Sequence, residues 1–494
     1  MTPKPSDDTA PIGLLGPVLG VARFELRRLR RALIALLGLL VLIGALALYS
    51  GALHLRHQDK NAELIQAQHQ DYLSKQTKRV SKRVKELQAA GQALTPDRKS
   101  YRNPAYLAQH GAPALVPNGP LSLVSAGVAP LQPQSTQVTL ADPALLEARE
   151  NLQHPLQLWT GHFDLSFVLV YLLPLLLIAF SFDLTAGEQA SGNLKMLLVQ
   201  GGGLRALVWG KLLARTGILA AMLLLLSLLS WATAQSLNLP FGWGRWSLMM
   251  LATMLYGLVW IGLAAVLNAL RRKPATIAAS LAALWLLAVW VLPGSSQQLL
   301  QSLVPVPSRL NFVQSVREAS EQVRQESSRL LGKYLEDHPE LAGGTDNKYA
   351  MLQLSKEQAM AKSIRPVVDG YQAQLTRQRQ IAAWLQYLSP VTVFEASLMQ
   401  LAGSGPERYQ AYRQQLEAFH GQWQSFFLPL LQQNQALLPS HFTTLPQFQF
   451  REPGRAELAP VLLPQLLFLA LLAAGLLGYS LKRYQRYQVI EADS

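Results

Sequence analysis

The sequence predicts an all-α polytopic membrane protein, with six transmembrane helices and two mainly helical extracytoplasmic domains. Three observations lead there. Six stretches of about 20 residues carry no charge, long enough to cross a hydrocarbon layer about 30 Å thick. Clusters of Lys and Arg sit at alternate ends of those stretches, as they do when short loops stay in the cytoplasm. Two long segments separate the stretches; the first opens with about 35 residues free of Gly and Pro, and the second repeats apolar residues at spacings of three, four and seven, the mark of helices with one buried face.

The composition agrees. The chain has 494 residues, enough for roughly three soluble domains. Only 15% are charged, against about a quarter in ordinary globular proteins, so the apolar stretches and not a soluble core account for the length. The net charge of +14 first suggests topology and membrane lipids, and no nucleic-acid partner is expected. There is no Cys, which excludes disulfides, thiolate metal sites and a Cys nucleophile.

Residues 1–31 read as a cytoplasmic N-terminus whose last part, GLLGPVLGVARFELRRLRR, is either a helix lying in the inner interface or a plain basic stop signal. The first span is 32–55. A basic start, an apolar run and Ala45-Leu46-Ala47 resemble a signal peptide, but the run exceeds the usual secretory length of about 7–15 residues. Spans two to six are placed at 163–182, 212–236, 244–270, 274–294 and 459–481, with 482–494 as a cytoplasmic tail. Arg23 to Arg31, Arg271 to Lys273, and Lys482 to Arg486 then fall on one side with both termini. Trp159, Trp243 and Trp246 mark outer boundaries, and Tyr479, Tyr484 and Tyr487 the inner one.

Residues 56–162 and 295–458 then face outward. The first opens with about 35 helix-compatible residues bearing a basic stretch, Lys75 to Lys85, which reads as a solvated face or as a contact for acidic headgroups or cargo. From Pro96 to Pro143 the chain is expected to be irregular, with a short strand at Gln137–Leu140. In the second, Phe312, Val316, Ala319, Val323, Leu330 and Tyr334 form one stripe. Val368, Tyr371, Leu375, Ala382 and Leu385 form another, predicting a helical hairpin. The stretch LSPVTVFEASLMQLAGSG and a helix through Tyr409, Tyr412, Leu416 and Phe419 follow within the same outer domain. All nine His fall in or beside these segments; His54 and His57 are one turn apart, yet with no third ligand beside them no metal site is expected.

The inner loop 183–211 is too long for a turn and too short for a domain. Leu194, Leu197, Leu198, Leu204, Leu207 and Val208 alternate with Glu188, Lys195, Arg205 and Lys211, and Gly201–Gly203 divide it into two amphipathic pieces. A short amphipathic helix at a membrane surface is a docking element for a soluble partner. Singly, each residue has a plainer reading: Glu188 at a helix N-terminus, Gly192 as a turn, and Lys195 and Arg205 as ordinary positive-inside residues.

No phosphate cradle G-x-x-x-x-G-K-[ST] is present: six residues, not four, lie between Gly203 and Gly210-Lys211, and Leu212 stands where a hydroxyl would bind magnesium. The spans hold no ionisable residue near their middles, which argues against an ion-coupled carrier. No Ser/His/Asp constellation suggests catalysis. The chain is therefore read as no enzyme, with no catalytic, cofactor-binding or metal residues.

Glu188 followed by Gly192-Asn193-Leu194, the Leu197-Leu198 pair, and Gly210-Lys211 resembles the pattern "E…G-T-L…L-L…G-K" of ABC-2-type (type V) transporter permeases. The large insertions after spans one and five resemble a bacterial subgroup carrying a domain of unknown function. One departure is Asn193, where that family usually has Thr. The resemblance implies a permease subunit of an ABC exporter in the inner membrane of a Gram-negative bacterium, forming a pathway with a second permease subunit, identical or related. It implies coupling through Asp183, Glu188, Gly192, Asn193, Leu194, Lys195, Leu198, Arg205, Gly210 and Lys211 to a separate ATP-binding subunit that carries ATP and Mg. The alternative is an ATP-driven mechanotransmission subunit acting on a periplasmic partner without moving a substrate.

Overall fold

The computed structural model describes residues 15–92, 102–140, 163–192, 203–239, 241–306, 308–337, 346–433 and 435–485. It is an all-α polytopic membrane protein: six of its helices are long and apolar enough to cross a membrane.

Helix α1 runs unbroken from Leu15 to Ala89. The basic N-terminal segment, the first span and the helix beyond it are thus one rod and not three elements. At 1.5 Å per residue its 75 residues extend about 112 Å. Helix α2 (Pro104–His110) and the antiparallel strands β1 (Ala112–Leu115) and β2 (Ser135–Val138) follow. The strand expected at Gln137–Leu140 starts two residues earlier. Helix α2 went unread, although Asn103 caps it through its side chain and Pro104 opens it, a familiar helix start.

The second span, α3, comprises Leu165–Phe167, a π turn at Val168–Leu172, and Leu173–Ser181. A short helix, α4 (Ala186–Ala190), follows it, then α5 (Gly203–Ser236) and α6 (Trp243–Asn268). The fifth span, α7, comprises Pro274–Leu286, a π turn at Leu287–Val291, and Leu292–Leu303. Then come α8 (Arg309–Asp337), α9 (Asp346–Leu385), α10 (Pro390–Ala402), α11 (Pro406–Gln432), α12 (Pro439–Thr443) and the last span, α13 (Arg455–Gln485).

Helices α3 and α6 form the centre of the bundle, each 56% buried over its most apolar stretch, whereas α7 at 17% lies at the edge. Trp246, expected at a boundary, is 3% exposed and donates its indole N–H to Ser227. Tyr484, expected at the other boundary, is equally buried. Trp243 and Tyr479 are exposed, while Trp159 and Tyr487 lie outside the described residues.

The largest departure concerns α10. The sequence places it in an outer domain, but Val391, Val393, Phe394, Leu398 and Leu401 are buried in the same core as the spans. The Phe394 ring stacks on Tyr256 of α6 with centroids 4.2 Å apart. At 13 residues α10 is too short to cross; it dips among the spans after α9 and returns to the side it came from. Two prolines help seat it. Pro174 and Pro293 have no N–H to donate into the preceding turns, and both turns widen to π geometry. The Tyr256 hydroxyl donates to the Val170 carbonyl at 2.9 Å, and that of Ser389, the N-cap of α10, to the Ala288 carbonyl at 2.8 Å.

On the side where α1 leaves the bundle, the two segments read as separate domains share one core. Tyr412, Phe419, Trp423 and Phe427 of α11 pack on Leu107, Ala108 and Ala114. Tyr412 donates to the Ala114 carbonyl and Trp423 to that of Ala108. Helices α8 and α9 form the expected hairpin through Phe312, Val316, Ile364 and Val368. Side chains of Leu330 and Tyr334 are not among those described.

The shaft of α1 is fastened to this lobe by ring stacking on His110: Tyr72 lies 3.6 Å and His69 6.3 Å from it, centroid to centroid. Burial holds both imidazoles below the ordinary value of 6.5, and His110 lowers His69 further; Arg79 and Tyr106 are the other ionisable neighbours of Tyr72. A base with a lowered folded pKa takes up protons first in the undocked chain, so the contact contributes fully above pH 6.5 and is lost as pH falls through the folded values. The lobe is expected to melt at lower temperature at about pH 5 than at about pH 7, and His110→Gln to flatten that dependence in a pH series of thermal melts.

Candidate functional site

At the opposite end of the bundle, the start of the 183–211 loop is held by four helices at once. Asn268, the only amide in the α6 span, is 1% exposed and directs both its oxygen and its nitrogen to this loop and the helix end before it. Its Oδ1 accepts the N–H groups of Thr185 and Ala186, and its Nδ2 donates to the carbonyls of Ser181, Phe182 and Ala264. Thr185 meets the Tyr484 hydroxyl of α13 at 3.1 Å. Asp183 accepts the N–H of Gly187; a Cβ on Gly187 would collide with that carboxylate.

The remaining anchors are ionic. Glu25 of α1 lies 3.1 Å from Arg215 and 3.5 Å from Lys211, both on α5, and 3.6 Å from Arg28. Glu188 of α4 pairs with Lys211 and, at 3.1 Å, with Arg28. The side chains of Glu25, Lys211 and Arg215 are each under 5% exposed, whereas Arg28 is half exposed. Charges so buried are tolerable only when paired. Counting Asp183, whose charge Arg215 also feels, three carboxylates face three cations.

Gly210 explains how α1 reaches this cluster. A Cβ there would lie 2.6 Å from Val21 and 2.8 Å from the Val18 carbonyl, so only glycine lets the two helices approach so closely. Val18, Val21, Ala22 and Glu25 thus form the face of α1 turned to α5, while Leu19 and Phe24 on the other side are exposed. Gly192 ends the described part of the loop with φ +74°, a left-handed turn that favours glycine.

Of the sequence-chosen residues, the structure therefore brings Asp183, Glu188, Gly210 and Lys211 into one assembly and gives Gly192 a turn. Asn193, Leu194, Lys195 and Leu198 lie outside the described residues, and Arg205 is described only as part of the α5 backbone. Sequence reasoning missed Glu25, Arg28, Thr185, Arg215, Asn268 and Tyr484. Two left a signal: Glu25 is the single acid between Asp8 and Asp59, and Asn268 interrupts an otherwise apolar run.

The arrangement has no nucleophile held against a base. It is a latch: α5, α6 and α13 are tied to α4 or to its N-cap Thr185 by buried bonds that are costly to break, and α1 by the half-exposed Arg28–Glu188 pair and through Glu25 on α5, so all four helices resist a displacement of α4. No curated protein matches the chain. Residues 309–451, from α8 through α12 and including the sunken α10, match the family model described as "Domain of unknown function (DUF3526)".

Proposed function

We propose that this chain is the permease subunit of an ABC exporter of the ABC-2 type. In this reading it sits in a bacterial inner membrane with both termini and residues 183–211 in the cytoplasm. A separate ATP-binding subunit, carrying ATP and Mg, docks on that loop, and a second permease subunit completes the pathway. The observation that carries the proposal is the four-helix anchoring of Asp183 to Ala190. A loop meant only to connect two spans needs no such fastening, whereas one that receives force from a partner does. Nucleotide would then bias a two-state equilibrium of the bundle through the latch.

One feature favours the second reading, mechanotransmission to a periplasmic partner. Helix α1 joins Glu25 in the latch to Leu87 beyond the lobe contact without a break, about 93 Å along its axis. Such a rod delivers motion at the loop directly to the lobe.

The test is capture of a nucleotide-binding chain by the full-length protein, with Ala190→Arg as the loop variant. Ala190 is exposed at the end of α4 and takes no part in the ion pairs, so the change alters docking and leaves the latch intact.

A further inference from the structure

The spans themselves carry no acid near their middles, but α10 brings one in. Glu395 reaches α3, where the Tyr171 hydroxyl donates to its Oε1 at 3.3 Å. Tyr171 lies six residues inside the start of α3 at Leu165, about 9 Å along the helix. Neighbouring Val393, Phe394 and Leu398 are fully buried, yet Glu395 itself is only half-buried. Its charged neighbour is another acid, Asp164, whose carboxylate is already taken by Ala126, Ser166 and Phe167. Among the described residues no cation is paired with it.

Leading to it along α3 is an aromatic ladder. Phe163, Phe167 and Tyr171 recur every four residues, with successive centroids 5.5 and 5.2 Å apart, and the two phenylalanines are 41% and 38% exposed. A carboxylate without a cation is costly at membrane depth, and intramembrane ionisable groups mark ligand or ion pathways. Aromatic faces attract cations as well as apolar surface. A ligand satisfying both must be apolar, aromatic or bulky, and positively charged.

We propose that Phe163, Phe167, Tyr171 and Glu395 form a binding site for amphipathic organic cations, entered from the α3 face. The site rests on the exporter reading and names its substrate class. Its chemistry is non-covalent: the cation neutralises Glu395, and the ladder takes up its apolar body.

The probe is tetraphenylphosphonium, with tetraphenylborate as an anion of the same shape. Binding is measured to the full-length protein in phosphatidylcholine nanodiscs, with empty nanodiscs subtracted. The native protein is expected to favour the cation. Glu395→Gln is expected to weaken cation binding at least about tenfold and to leave the anion unchanged or tighter; Phe167→Ala, on an exposed face, is expected to weaken it about fivefold. Equal affinity for the two ions, or native-like cation binding by Glu395→Gln, overturns the proposal. Should Glu395→Gln fail to fold, the cation-to-anion comparison on the native protein and Phe167→Ala decide alone. No ATP-binding chain is needed for this assay. Failure here with capture intact removes only this site, and binding here with capture lost removes the exporter reading.

Discussion

Replacing Glu25 by Gln is expected to destabilise the folded protein by about 3–5 kcal/mol, the range for removing one member of a buried ion pair. Among the described residues Glu25 is the carboxylate that pairs with both Lys211 and Arg215, and all three are nearly inaccessible. Without its charge Arg215 loses the ion-pair partner it has among the described residues, and Lys211 keeps Glu188. Glu25→Gln combined with Arg215→Met removes one charge of each sign and is expected to recover most of the loss, because a matched apolar replacement of a buried pair is often near neutral. Denaturant titrations of the purified protein in detergent measure both. Equal stability of Glu25→Gln and the native protein would mean that the cluster contributes nothing.

The second large effect lies in the bundle centre. Phe394→Ala is expected to cost about 3–5 kcal/mol, the range for emptying a buried phenylalanine site. Phe394 is fully buried, and its loss leaves the Tyr256 ring without its stacking partner. The same change at Phe312 is expected to cost less, since that ring is 7% exposed in a hairpin whose core, among the described residues, has four buried side chains. The two variants are compared in one titration; a smaller loss at Phe394 than at Phe312 would contradict the burial of α10 in the bundle core.

That comparison marks where sequence reading stops. The six spans were legible because absence of charge over about 20 residues has few other causes. The α8–α9 hairpin was legible from its stripes. Helix α10 was not: a short apolar helix between Pro390 and Gly403 looks the same whether it packs on a soluble domain or among spans, and its length hides it from any span count. With it went Glu395, so the spans seemed free of acids. The latch was half legible. Glu188 and Lys211 stand out within one loop, but Glu25 and Arg215 are separated by 190 residues, and nothing local says that they meet. The burial of Tyr484 and Trp246 was not legible for a related reason: an aromatic at a span end can face lipid or a neighbouring helix, and only packing distinguishes the two.

The central claim is that residues 183–211 pass force from an ATP-binding neighbour into the bundle through the latch. It is tested most directly by photolabelling with azido-ATP of full-length protein solubilised from its own membranes. One labelled chain, distinct from this one, is expected to stay bound to the native protein and to be lost from Ala190→Arg while the thermal melt is unchanged. Label on this chain itself, no labelled companion, or equal retention by Ala190→Arg would contradict it.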